Sequence, residues 1–512
     1  MSFLRTLSRR IVSSMQPTVF FGSAALVVGF IIFGALDTQH ARQLFSAVQN
    51  FIVHQLGWFY VLSVTLLFLF VIWLYFSPYG SIRLGGDDAR PEFGRFAWFT
   101  MLFSAGMGTG LVFWGVAEPL YHYAGPPMAA PETHAAVKES LQFAFFHWGL
   151  HPWAIYIVFG LTIAYFHFRH GLPLAPRSML YPLIGERFRG IIGHSLDILC
   201  TVGTLFGVAT SLGLGARQIN SGLTYLFDIQ DNTFVQIMLI AGITLLATIS
   251  VVSGIHRGIK HLSQFNIILA FALLLFVFVA GPTLYQIKIF LTSTGDYLQY
   301  LVVMSLCVDA RPDSDWQANW TLFYWGWWLS WSPFVGIFVA RISRGRTIRE
   351  FILYVSMVPT LVTFLWLAVF GGSAMHMELN GSPEILQIVQ DNVALSLHAL
   401  LDRLPFSAIT TFLGTILILT FFITSSDSGS LVDDMVTSGG HPNPPAAQRI
   451  FWASAEGAVA AVLLYIGGLK ALQTASLTTG LPLALFLLAA CVGLVRALRA
   501  DYNNRDVRDT FR

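Results

Sequence analysis

Residues 97–123 read AWFTMLFSAGMGTGLVFWGVAEPLYHY, an apolar run long enough to cross a bilayer but interrupted by Gly106, Gly108 and Gly110 at alternate positions. A crossing helix needs about 20 mostly apolar residues, and each glycine weakens it by roughly 1 kcal/mol relative to alanine. Glycines this close together allow the helix to unwind and turn its carbonyls toward a ligand or ion, as the discontinuous helices of secondary transporters do. They suit equally well a close approach of a neighbouring helix through small residues. This stretch alone leaves both readings open.

The rest of the chain has the same character. Its 512 residues are 55% apolar and only 11% charged, with a mean hydropathy of +0.66, whereas a soluble domain carries about 25% charged residues. Lipid is therefore the solvent for most of the chain. A net charge of +2 gives no reason to expect a nucleic-acid partner. Cys200, Cys307 and Cys491 lie far apart, in or beside apolar stretches, and fit neither a disulfide framework nor zinc spacing. There is no phosphate-binding glycine loop, so ATP-driven transport by this chain is not expected. The basic start, MSFLRTLSRRIVSSM, runs into an apolar span without a small-residue cleavage site and reads as a lead-in to the first helix.

Twelve segments satisfy the length criterion, at about 18–37, 58–78, 97–122, 139–167, 191–219, 233–253, 263–286, 316–341, 348–371, 408–433, 450–468 and 476–497. An even count puts both ends on one side. The alternate connections beginning with the N-terminus hold 22 of the 29 Lys and Arg residues, among them Arg83, Arg169, Arg257, Arg341 and Arg496. The other connections are poor in positive charge and carry Asp228, Asp231, Asp309, Glu378 and Asp391. By the positive-inside rule the first set, with both termini, is cytoplasmic. The expectation is an all-α, multi-pass protein of the plasma membrane, in bacteria the inner membrane.

Two runs within these spans are rich in aromatic residues. One is HWGLHPWAIY at 147–156, the other WTLFYWGWWLSW at 320–331, and neither contains an acidic residue. Buried ring faces attract a quaternary ammonium group by cation–π interaction. Trp153 and Tyr156 are three apart, as are Trp328 and Trp331, so each pair shares a helix face. In the tenth span FFITSSDSGS, at 421–430, brings five hydroxyls and a carboxylate to membrane depth, where they must face the protein interior. Adjacent Thr424 and Ser425 suit a small hard cation that prefers oxygen ligands; helix–helix hydrogen bonding is the other reading. A membrane enzyme would need His, Asp or Glu clustered at one depth. His147 and His151, four apart, have no third ligand at a usable spacing, so no catalytic residue is expected.

Taken together, the segments 97–123, 147–156, FGVATSLGLGARQ (206–218), FYWGWWLSWSPFVGIFVARISRGRTIREF (323–351) and TSSDSGS (424–430) resemble the betaine/choline/carnitine transporter family over most of residues 15–500. That resemblance implies twelve transmembrane helices, the last ten forming two inverted five-helix repeats (a LeuT-like fold), and assembly as a homotrimer in membrane lipid. It divides the chain into 1–96 with two helices, repeats at 97–290 and 291–498, and a tail at 499–512. It further implies that Trp148, Trp153 and Tyr156 line one side of an aromatic cage and Trp327, Trp328 and Trp331 the other. Trp328 would stack on the trimethylammonium, and backbone N–H groups around Gly106, Gly108 and Gly110 would meet a substrate carboxylate.

The same resemblance implies a sodium site built from Ser104 and Met107 on one side and Phe421, Thr424 and Ser425 on the other. A second sodium site would use Thr204 and Phe334, but its partner position four residues on is Val208, which counts against it. Choline-type members tend to carry Asp where this chain has Gly110, and sodium-independent exchangers depart from the Trp331-Ser332-Pro333-Phe334 pattern kept here. The expected function is sodium-coupled import of a quaternary ammonium zwitterion such as glycine betaine by alternating access, with sodium as coupling ion and no cofactor. A proton-coupled choline symporter and a sodium-independent carnitine/betaine exchanger are the competing readings.

Overall fold

The computed structural model describes residues 15–106, 108–252, 256–309, 314–381, 384–441 and 444–510. Its helices are α1 (Pro17–Leu36), α2 (Thr38–Phe51), α3 (Gly57–Phe76), α4 (Arg95–Gly106), α5 (Thr109–Ala124), α6 (His134–Trp148), α7 (Leu150–His170), α8 (Ile191–Phe227) and α9 (Thr233–Val252). They continue with α10 (His256–Ala280), α11 (Thr283–Ser305), α12 (Phe323–Arg341), α13 (Ile348–Leu379), α14 (Glu384–Asp391), α15 (Ser396–Asp402), α16 (Ser407–Thr437) and α17 (Ala446–Thr510). Among the described residues the β contact is a lone antiparallel bridge between Arg83 and Thr347.

The expected count of twelve crossing helices is corrected. Among the described residues eight helices are long and apolar enough to cross a membrane: Pro17–Leu36, Thr38–Phe76, His134–His170, Ile191–Phe227, His261–Ala280, Ile348–Leu379, Ser407–Thr437 and Ala446–Asn503. The LeuT-like arrangement of two inverted five-helix repeats falls with the count on which it stood. The reasons are local. The span expected at 97–122 is split between α4 and α5, of 12 and 16 residues. The Trp, Tyr, Ser and Gly residues of α12 make it too polar to qualify. The spans expected at 450–468 and 476–497 run together in α17, with non-helical backbone at Gly467 and Gly468. Conversely, α11 lies where a connection was expected. Gln286, Lys288 and Asp296 dilute its hydropathy, while Leu284, Leu291, Leu298 and Val302 leave it an exposed apolar face.

Burial separates the core from the rim. Of the apolar window in His134–His170, 94% is buried inside the protein, against 22% for Pro17–Leu36. Lipid is the natural cover for exposed Phe21, Leu26 and Ile32 on α1 and for Leu245, Ile249 and Phe271 on α9 and α10. At the centre α8 packs against α12, α16 and α17, and α12 also packs against α7. Where α12 crosses α17 the backbones nearly touch: a Cβ at Gly480 would lie 2.7 Å from the Gly326 carbonyl oxygen, and one at Gly326 2.7 Å from the Leu477 Cα. Small residues permit that approach. Hydroxyls at the crossing are satisfied: Ser330 donates to the Ser476 carbonyl at 2.7 Å, and Tyr60 donates to that of Leu477.

A tether joins the segment before α4 to the turn between α12 and α13. Leu84 N–H donates to the Arg346 carbonyl, Gly345 N–H to that of Leu84 and Ile348 N–H to that of Ile82, at 2.9, 2.8 and 2.9 Å. The Arg346 guanidinium lies 4.5 Å from the Trp98 ring centroid and donates to the Phe93 carbonyl at 2.7 Å. Gly345 has φ +79°, and a Cβ there would come within 2.2 Å of the Arg90 carbonyl oxygen; only glycine suits that position. Thr347 and Glu350 form a capping box that starts α13.

Candidate substrate and ion site

The two Trp-rich runs meet. Trp148 ends α6, Trp153 and Tyr156 lie on α7, and Trp327, Trp328 and Trp331 lie on α12. The Trp148 and Trp328 rings are edge to face at 4.9 Å between centroids, and those of Tyr156 and Trp328 at 6.4 Å. Trp153 packs edge to face on Tyr156 at 5.3 Å. Trp327 and Trp328 are nearly parallel at 4.8 Å, and each lies 6.3 Å from Trp331. The indole N–H groups fix the rings. Trp328 Nε1 donates to the His147 carbonyl at 2.9 Å, near the end of α6 where carbonyls lack helical partners. Trp327 Nε1 donates to the Gly207 carbonyl at 3.3 Å. Trp331 Nε1 and the Tyr156 hydroxyl are buried without a partner.

The glycine-rich break borders this box. A Cβ at Gly110 would lie 2.6 Å from Trp327 Cη2 and 3.3 Å from Trp148 Cη2, and one at Gly108 3.8 Å from Trp331 Cη2. Gly108 is extended, with φ −163° and ψ 179°, and no side chain caps α5. The first N–H groups of that helix thus lack intrahelical partners, which makes its start suited to an anion. Gly106 is the last residue of α4.

A residue absent from the sequence expectation sits beneath the box. Glu118 of α5 is fully buried. Its Oε1 accepts from His147 Nδ1 at 2.7 Å and His122 Nε2 at 3.2 Å, and its Oε2 accepts from Trp148 Nε1 at 2.7 Å and the Tyr324 hydroxyl at 2.5 Å. His147 Nε2 then takes a hydrogen bond from Thr321 Oγ1 at 2.9 Å. A carboxylate only accepts, so both histidines donate to it. Glu118, His122 and His147 are also the group of metal-ligating type found among the described residues, with donor atoms within 4.8 Å of one another. Four donors already saturate the carboxylate, so the arrangement fixes rings without needing an ion. The aromatic runs hold no acid in sequence, yet α5 supplies one in space. Its signal was a lone Glu within an apolar span, where an ionisable residue marks function by default. His151 is separate: its Nε2 bonds Ser305 Oγ at 2.8 Å and its ring stacks on Trp325.

The expected ion ligands are less gathered. Met107 lies outside the described residues, and Ser104 is in the last turn of α4. On α16, Thr424 Oγ1 accepts from Asn266 Nδ2 at 3.1 Å and donates within its own helix, to the carbonyl of Phe421 or Thr420. Phe421 is buried and Ser425 half-buried. The α5 and α16 sides approach one another across α8: a Cβ at Gly215 would lie 2.9 Å from Thr109 Cγ2 and 3.1 Å from Phe422 Cδ2. Thr204 is buried with no partner for its hydroxyl, while Phe334 packs on Trp331 at 5.5 Å.

An all-α multi-pass membrane protein with a box of tryptophans at its centre presents ring faces suited to a bulky organic cation or zwitterion. The description "BCCT, betaine/carnitine/choline family transporter" matches residues 18–503, and the chain belongs to that family. It is similar to an uncharacterized transporter of Mycobacterium bovis, 46% identical over 495 residues that cover 95% of this chain and 83% of the relative. It is also similar to the glycine betaine transporter OpuD of Bacillus subtilis, at 44% over 94% of each chain. The glycine betaine transporter of Acinetobacter baylyi is 42% identical over 96% of this chain and 74% of its own length. The protein is thus a secondary transporter for betaine- or choline-like quaternary ammonium compounds, not an enzyme.

Proposed function

We propose that this chain imports glycine betaine, or a close zwitterionic analogue, by sodium symport through alternating access. The observation that carries the reading is the juxtaposition of ring faces with an uncapped helix start: Trp148, Tyr156, Trp327 and Trp328 border Gly108 and Gly110. A zwitterion needs both ends. Trimethylammonium cannot donate a hydrogen bond, and each ring face attracts it by about 0.5–2 kcal/mol. Its carboxylate is complementary to the open N–H groups at the start of α5. Gly110 favours a zwitterion further, since a side chain there would collide with Trp327. Trp153 backs Tyr156, and Trp331 lines the route onward.

Sodium is assigned to Thr424 and Ser425 with carbonyls of Phe421, Ser104 and Met107; Thr204 and Phe334 are the secondary candidates. Ion binding there would order the break between α4 and α5 and so prepare the box for substrate. A bacterial inner-membrane location with cytoplasmic termini agrees with the distribution of Lys and Arg, and a homotrimer agrees with the exposed apolar face of α11. A second reading, proton-coupled transport of choline, draws support from Glu118, a carboxylate against the cage that would suit a bare cation. Uptake of labelled glycine betaine into proteoliposomes separates the two. Saturable uptake that needs an inward sodium gradient is expected. Uptake indifferent to exchange of sodium for potassium, but driven by a pH gradient and stronger with choline, overturns the proposal.

A further inference from the structure

Away from the aromatic box, three carboxylates lie in the protein interior without the partners that buried acids require. Asp433 and Asp434 of α16 are 0% and 1% exposed, and Glu456 of α17 is 0% exposed. Neither oxygen of Asp433 or Asp434 has a hydrogen-bond partner, nor does Glu456 Oε1; Glu456 Oε2 accepts from Ser426 at 3.3 Å. The three interact electrostatically with one another, and Asp434 and Glu456 also with Asp427. Arg449 Nε stands 3.8 Å from Asp434 Oδ2 without a hydrogen bond. Arg341 of α12 is engaged with Met435 Sδ, and Arg177 is paired with Asp197 of α8.

A polar group on the facing helix points the same way. On α8, Asp197, Thr201, Thr204 and Val208 share one face. That face looks at α16: a Cβ at Gly429 would lie 2.8 Å from Val208 Cγ2 and 3.0 Å from Glu456 Oε1, and Cys200, beside Thr201, interacts with Asp433. Thr201, on the same face as Val208, carries a hydroxyl that is 0% exposed and has no partner. The acids do not converge as metal ligands. Among the described residues, donor atoms come within 4.8 Å of one another in a group of three at Glu118, His122 and His147, not here. An ionised carboxylate buried without a partner is so costly that it neutralises instead, and acids spread along two helices are neutralised one by one.

We propose that Asp433, Asp434 and Glu456 form a proton-binding site whose bound protons hold α16 against α17 and α8. Each proton comes from water and forms an O–H bond that can donate to the neighbouring hydroxyls and carbonyls. Deprotonation leaves like charges facing one another in a low dielectric and pushes the helices apart. Stability from this source is present at low pH and lost as pH rises. The test uses the full chain in lipid nanodiscs and does not depend on any transport reading. Infrared spectra should show the carbonyl stretch of protonated carboxylic acids at neutral pH, fading as pH is raised. Asp433→Asn and Glu456→Gln, which keep side-chain size, should each remove part of that band, and the double variant should lose less thermal stability at alkaline pH than the wild type. Absence of the band at neutral pH, or a band untouched by both substitutions, overturns the proposal. So does a band abolished by sodium at constant pH, which would assign the acids to a metal cation.

Discussion

Replacing Glu118 by Gln tests whether the buried acid holds the cage in shape. The carboxylate takes four hydrogen bonds, two on each oxygen. A Gln keeping its carbonyl toward His147 and His122 would turn its NH2 group toward Trp148 and Tyr324. The tyrosine hydroxyl can rotate and accept, but an indole N–H only donates, so Trp148 loses its anchor. One orphaned buried donor costs about 1–3 kcal/mol of stability. The freed Trp148 ring must then be ordered again when substrate binds, at about 0.5–1.5 kcal/mol for one side chain. That corresponds to a Kd weaker by about two- to twelvefold. Glu118→Ala orphans all four donors and should destabilise by about 3–5 kcal/mol, the range for breaking a buried charged pair. Thermal unfolding of purified protein gives the stability order wild type, Gln, Ala; tryptophan-fluorescence titration with glycine betaine gives the affinities. If Glu118→Gln unfolds and binds as the wild type does, the network is incidental and the cage is held by ring packing alone.

Trp328→Leu should weaken binding of glycine betaine by about 1–2 kcal/mol, or five- to thirtyfold, with Trp328→Phe recovering part of the loss; equal calorimetric affinities would remove Trp328 from the site. Thr424→Ala with Ser425→Ala should raise the sodium concentration for half-maximal uptake much more than it lowers the unfolding temperature, since helix propensity is kept or improved. An unchanged sodium dependence would leave those hydroxyls with helix packing only. Gly345→Ala should destabilise by more than about 1 kcal/mol, because its φ of +79° and the nearby Arg90 carbonyl exclude a side chain; a neutral effect in thermal unfolding would mean that the tether yields easily.

The clustering of the aromatic rings was legible because its parts are local. Trp153 and Tyr156, like Trp328 and Trp331, announce a shared face by their spacing, and the break between α4 and α5 is written in Gly106, Gly108 and Gly110. Glu118 stood out as a lone acid in an apolar span, but its network was not legible, because three of its four partners come from α6 and α12 and only folding brings those segments to α5. Crossing helices were miscounted for a different reason. A window of hydropathy cannot see that one apolar run is broken at Gly108, between α4 and α5, or that non-helical backbone at Gly467 and Gly468 is all that divides two runs of α17. Nor does it predict α11, a helix outside the eight crossing ones, whose Lys138–Asp296 ion pair, 2.9 Å between Nζ and Oδ1, is made across to α6. The acids of α16 and α17 were visible one at a time, but their shared neighbourhood was not.

The tether at Gly345 has a mechanical corollary. It binds the segment leading into α4 to the turn that ends α12 and begins α13, through three backbone hydrogen bonds and the Arg346–Trp98 contact. α12 carries Trp327 and Trp328, while α4 runs toward the glycines that border the same rings. The two walls of the box are thus geared together at one end, like the arms of tongs sharing a pivot. A displacement of the α12 end therefore draws the beginning of α4 with it. On the transport reading proposed above, that tethered end would move as a single handle.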